Sequence, residues 1–213
     1  MTLKCNLGAA VLIGVFCPVF AQAQTPARPS ASSSEHRAPD TVNFLAGALV
    51  GLATHEAGHL MFDVAFDAQP RVQGVRFGPF PFFAITHRDV SPRREVVISS
   101  AGFWMQEATS EWLLARHPPL REQHAPFKKG VLAFNVLNSV GYGIVAFARA
   151  GPPERDTRGI AAASGVDERA LGALVLAPAV LDAYRYLRPE ARWATWASRA
   201  AKIGSLALVM KRR

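Results

Sequence analysis

Val42-Asn43-Phe44-Leu45-Ala46-Gly47-Ala48-Leu49-Val50-Gly51-Leu52-Ala53 runs straight into Thr54-His55-Glu56-Ala57-Gly58-His59, and Leu60-Met61-Phe62 follows. A His-Glu-x-x-His sequence thus lies inside an apolar segment that is long enough, from Thr41 to Phe66, to cross a bilayer as a helix. On a helix, His55 and His59 are four positions apart, so both imidazoles project from one face and can share a metal ion. Glu56 lies about 100° round the helix, too far to join them as a ligand on that face. It can still reach a metal-bound water as general base. Two histidines and a glutamate are costly to bury and need partners, and a metal is the most economical one. Zn2+ suits this donor set, because imidazole is a good ligand and a catalytic zinc keeps one position open for water.

Around this helix the chain alternates apolar segments with polar or Pro- and Gly-containing breaks. Asp63 follows His59 by four and so shares its face, where it is expected either to orient an imidazole or to mark the wet end of the helix. From Arg71 to Val97, apolar residues alternate with Gly and Pro, which predicts a short β-hairpin or loop. Val96 to Trp104 opens a second helix, rich in small residues and continuing past Gln106, Glu107 and Glu111 to Leu114. A basic loop over Arg116 to Lys129 precedes a third apolar segment, Gly130 to Ala148, with Asn135, Asn138 and Tyr142 spaced near helical repeats. Gly151 to Ile160 reads as a break. Leu171 to Leu187, with Pro178 inside it, and Trp193 to Met210 are two further apolar stretches. The expected fold is an all-α integral membrane protein of about four to five apolar helices, with a short β-hairpin after the His-Glu-x-x-His helix.

The N-terminus reads as a secretory signal peptide over residues 1-23: Lys4, an apolar run from Leu7 to Phe20, and the small-x-small site Ala21-Gln22-Ala23. Cleavage there removes Cys5 and Cys17, the two cysteines of the chain, so a metal must be held by His and carboxylate. Residues 24-40 are rich in Pro, Ser and Ala without periodicity and are expected to be a disordered linker. Residues 41-213 then form the membrane-embedded, metalloprotease-like domain. The net charge is +8 and the mean hydropathy +0.12. Its Lys and Arg fall in short clusters between apolar runs, as in loops flanking membrane segments, rather than in the single patch of a nucleic-acid binder. No nucleic-acid partner is expected, and a lipid bilayer is.

Several stretches in order resemble the site-2 protease family of intramembrane zinc metalloproteases. His55-Glu56-Ala57-Gly58-His59 sits in an early apolar helix, and Gly74-Val75-Arg76-Phe77-Gly78-Pro79 is similar to the short β element after it. Ser100-Ala101-Gly102-Phe103-Trp104-Met105-Gln106 is similar to the family's Ala-Gly-Pro-x-x-Asn turn, with Phe103 for the proline and Gln106 for the asparagine. The family's third ligand is the aspartate of Leu-Asp-Gly, a tripeptide this chain lacks. The resemblance places Asp156, in Arg155-Asp156-Thr157-Arg158-Gly159, in that role, and Asn135 or Asn138 as the residue that binds the substrate carbonyl. It implies a zinc endopeptidase of the bacterial inner membrane that cleaves membrane-anchored protein or peptide substrates, with Glu56 as the general base.

Two other readings stand beside it. A periplasmic or peripheral zincin would complete its zinc site with Glu107 or Glu111 from a later helix. A non-catalytic metal-binding membrane scaffold would keep the metal for structure, although such a site has no use for Glu56.

Overall fold

The computed structural model describes residues 40–77 and 80–211. The signal expected at 1-23 lies outside them, as does the linker expected at 24-40 apart from Asp40. The elements follow in the order α1 (Asp40–Ala65), β1 (Arg71–Phe77), β2 (Phe80–Thr86), α2 (Pro92–Arg116), α3 (Pro126–Ala148), α4 (Asp156–Ser164), α5 (Glu168–Leu187) and α6 (Arg192–Lys211). The fold is mostly helical, with one two-stranded antiparallel sheet in which Val75 pairs with Phe82 and Arg71 with Thr86.

Local chemistry sets the element ends. α2 and α3 both open on a proline, whose missing N–H is no loss in a first helical turn. Asp167 caps α5 by accepting from the Arg169 N–H at 2.9 Å. Between these lies α4, a helix where a break was expected over Gly151 to Ile160. Nine residues are too few to show a helical period, but Asp156 in the first turn and left-handed Gly165 (φ 70°) after the last are ordinary end signals. α5 continues through Pro178 as one helix.

Close backbone approach assembles the bundle. A Cβ at Gly130 would lie 1.9 Å from the Phe44 carbonyl oxygen, and one at Gly47 would lie 2.0 Å from that of Phe127. α1 and α3 therefore touch backbone to backbone, which only glycine permits at those two positions. α2 runs through the middle and contacts each of the other five helices. Phe103 of α2 packs with Ile160 of α4 and with Leu171 and Val175 of α5, while Leu113 and Leu114 pack with Val131 and Leu132 of α3.

The outside of the bundle is unusually apolar. Leu45, Leu49 and Val64 of α1, Leu137 and Ile144 of α3, Val180 of α5, and Trp196 and Ile203 of α6 are each more than half exposed. α3 and α5 are long and apolar enough to cross a membrane. The other helices expected to be apolar spans carry too much polar chemistry for that: the histidine motif in α1, and charged residues in α2 and α6.

Much of that charge is turned inward. Glu111 of α2 accepts from Arg185 (2.5 and 3.2 Å), Arg199 (2.8 Å) and Lys202 (3.1 Å). Asp182 accepts from Ser198 at 2.6 Å, Lys202 at 2.9 Å and Arg185 at 3.2 Å. Glu107 meets the Ser205 hydroxyl at 3.4 Å. This network ties α2 to α5 and α6.

Candidate metal centre

His55 and His59 are buried on the inner face of α1, and both meet the start of the small-residue stretch of α2. A Cβ on Gly102 would stand 2.4 Å from His55 Cε1 and 2.5 Å from His59 Nε2, so the imidazoles occupy space that any other residue would fill. Each ring is held at its Nδ1. His59 Nδ1 donates to the Ile98 carbonyl at 2.8 Å, and His55 Nδ1 lies 3.0 Å from Gln106 Oε1. Asn138 Nδ2 donates to that same oxygen at 3.2 Å, and the Asn135 amide donates to the Gln106 carbonyl (3.2 Å) and to Ser110 (3.0 Å). With both Nδ1 atoms acting as donors, both Nε2 atoms are left to bind a cation.

Asp156, the first residue of α4, completes the group. Its Oδ2 is 3.2 Å from His55 Nε2 and 3.5 Å from His59 Nε2, and the two Nε2 atoms are 3.2 Å apart. Burial works against ionisation of Asp156, yet the adjoining His59 and His55 overcome it and hold the carboxyl well below the ordinary carboxylate range. The spacing suits a metal: tetrahedral ligands about 2.0–2.1 Å from one ion stand about 3.4 Å from one another. His55, His59 and Asp156 could thus hold a metal ion.

The backbone before Asp156 is clamped. Arg155 makes a bidentate pair with Glu168 of α5 (2.8 and 2.9 Å) and donates to the Pro152 carbonyl at 3.0 Å, while Thr157 donates to Glu168 at 3.1 Å. This fixes the loop against α5 and places Asp156 opposite α1.

Glu56, half-buried, opens with the three donors onto a cavity of about 530 Å³. Among the described residues no hydrogen bond ties down its carboxylate, so it is free to exchange a proton. Val75, Phe83 and Ile85 of the hairpin and Phe134 and Leu137 of α3 make the rest of the cavity wall mainly apolar. Asn138 also lines it, whereas Asn135 is buried behind Gln106 and does not. Glu107 and Glu111, the other candidates for third ligand, are committed to Ser205 and to the Arg185, Arg199 and Lys202 cations.

Asp63 takes neither of the roles expected for it. It neither orients His59, whose Nδ1 is taken by Ile98, nor faces water: it is fully buried, and neither carboxylate oxygen has a hydrogen-bond partner among the described residues. Three contributors escaped the sequence reading: the Ile98 carbonyl, Gly102 as the space for the imidazoles, and Gln106 as the partner of His55. For the last two a signal existed, since Gly102 and Gln106 are one helical turn apart and so share a face.

No protein-family model matches the chain, and no curated protein or solved structure matches it significantly.

Proposed function

We propose that the chain is a membrane-embedded zinc metalloendopeptidase acting on membrane-anchored protein segments. The observation that carries this reading is the convergence of His55, His59 and Asp156 beside an unengaged Glu56 at the floor of an apolar cavity. The resemblance of the His-Glu-x-x-His helix, the hairpin and the Ser100–Gln106 stretch to site-2 proteases supports it. So does the apolar exterior, which a lipid bilayer would cover.

Bound zinc would supply a Lewis acid and a water acidified to a pKa of about 7. The chain's own residues do the remainder. His55, His59 and Asp156 hold the ion, with Gln106 and the Ile98 carbonyl fixing the ring orientations. Glu56 takes up a proton on its carboxylate and returns it to the departing amine. Asn138, at the cavity wall, donates a hydrogen bond to the substrate carbonyl. The apolar wall accepts an apolar peptide segment and excludes bulk water, which strengthens each polar contact inside.

Detergent-purified protein incubated with fluorogenic apolar peptides provides the test. The wild-type protein should cleave them, and Glu56→Gln should lose about a hundredfold or more of the rate while keeping its metal. Equal cleavage by both proteins would refute the assignment of Glu56. The membrane placement predicts that alkaline carbonate washing leaves the protein in the membrane fraction, and its release would argue for a peripheral protein instead.

A further inference from the structure

At one pole of the bundle α2 ends, α3 begins, α5 ends and α6 begins. Lys128 Nζ lies 2.9 Å from His117 Nε2 there, and Arg121 donates to the Leu187 carbonyl at 3.1 Å. Three of these helix ends carry the same pair of side chains. An exposed arginine stands at the helix end and an exposed aromatic ring four residues further in: Arg116 and Trp112 on α2, Arg188 and Tyr184 on α5, Arg192 and Trp196 on α6. Trp193 adds another exposed ring, 5.2 Å from that of Tyr184. Four residues put each pair on one face and about 6 Å apart along the helix axis. Further along the same faces the side chains turn aliphatic, with Val180 on α5 and Ile203 on α6 both more than half exposed. The polar layer on each side of a bilayer is about 5–8 Å thick. The order cation, aromatic ring, aliphatic chain therefore follows headgroup, boundary and acyl chain in spacing as well as in kind.

We propose that this pole is a docking collar for anionic phospholipid headgroups: its cations contact the phosphates while Trp193, Trp196 and Tyr184 lie at the boundary with the acyl chains. The charge balance favours acidic lipid over zwitterionic lipid. Arg116, Arg121, Lys128, Lys129, Arg188 and Arg192 stand here against Asp40, Glu122 and Glu190. Among the described residues the one carboxylate that meets any of the six is Glu190, 3.8 Å from an Arg188 that stays two-thirds exposed. Lys129 and Arg121 donate instead to neutral backbone carbonyls, at 2.9 and 3.1 Å, and Asp40 pairs with His124. The positive charge of the collar is therefore left for a partner from outside the chain. The apolar side walls that continue from the rings make that partner a bilayer rather than a soluble polyanion. The inference rests on the membrane placement proposed above, and adds which pole meets acidic headgroups and through which residues.

The test reconstitutes the full-length protein into vesicles of phosphatidylcholine with a minor share of phosphatidylglycerol. One lipid or the other is brominated near the headgroup end of its acyl chains, so that it quenches the tryptophans it touches. Brominated phosphatidylglycerol should quench the wild-type protein by more than its share of the lipid, and raising the salt should reduce that preference. Arg116→Gln/Arg188→Gln/Arg192→Gln should lower the preference about fivefold or more, the factor that one cation at an acidic membrane surface contributes. Quenching of this variant by brominated phosphatidylcholine should persist, and thermal unfolding in detergent checks that its bundle is intact. Trp193→Phe/Trp196→Phe should remove most of the quenching by the acidic lipid. Quenching of the wild type in simple proportion to lipid abundance, or a preference indifferent to salt and to the triple variant, would overturn the inference and leave the membrane placement standing. If neither brominated lipid quenches the wild type, the membrane placement falls and this inference with it.

Discussion

Glu111 and Asp156 are both carboxylates inside one helical bundle, yet their surroundings differ in kind. Glu111 is met by Arg185, Arg199 and Lys202, so its charge is answered by the chain itself. Asp156 faces two imidazoles whose other nitrogens are already committed, and among the described residues no lysine or arginine pairs with it. The first cluster is closed and ties three helices together. The second brings three donor atoms together that could hold a cation, and opens on a cavity. A buried ionic network of the first type contributes to a particular helix arrangement more than to net stability, because desolvation offsets most of the attraction. The second type gives up internal pairing for chemistry.

That contrast can be broken one side at a time. The largest effect is expected from Arg185→Ala, which leaves Glu111 and Asp182 short of a partner. Unfolding in detergent should show a loss of about 3 kcal/mol, with zinc affinity unchanged. A change in zinc affinity there would show that the two clusters are not independent. Gly102→Ala works on the other side by forcing a methyl group against both imidazoles. Chelator competition should show zinc held about 100-fold more weakly, a difference of about 2.7 kcal/mol. Gln106→Leu removes the Nδ1 partner of His55 and should weaken zinc about tenfold in the same assay. The smallest change is expected from Ser205→Ala, since its contacts with Glu107 are long at 3.4 Å. Its cost in unfolding measurements should be about 0.5 kcal/mol or less, with no effect on zinc.

Parts of both clusters were legible in the sequence, for different physical reasons. The spacing of His55 and His59 fixes their common face whatever surrounds the helix, so the pair and the role open to Glu56 could be read directly. Val72, Val75 and Phe77, and then Phe80, Phe82, Phe83 and Ile85, alternating with Gly and Pro, pointed to a hairpin or loop there. Asp156 was reached by resemblance, not by spacing. It lies about a hundred positions after His55, and its placement depends on α4 and on the Arg155–Glu168 clamp, neither of which has a local period. Glu107 and Glu111 were open as ligands for the converse reason: a carboxylate on an apolar helix needs a partner, but sequence alone does not say whether that partner is a metal ion or side chains of α5 and α6. Asp63 shows the limit of the face argument. Sharing a face with His59 did not make it a partner, because the Ile98 carbonyl of α2 stands closer to the ring.

The central claim is that His55, His59 and Asp156 make one zinc site and that Glu107 and Glu111 belong to a separate network. Zinc content of detergent-purified wild type, Asp156→Ala and Glu107→Ala/Glu111→Ala tests it directly. The account predicts about one zinc per chain in the wild type and in the double glutamate variant, and loss of the ion in Asp156→Ala. Zinc retained in Asp156→Ala but lost from the glutamate variant, or none bound by the wild type, would contradict it.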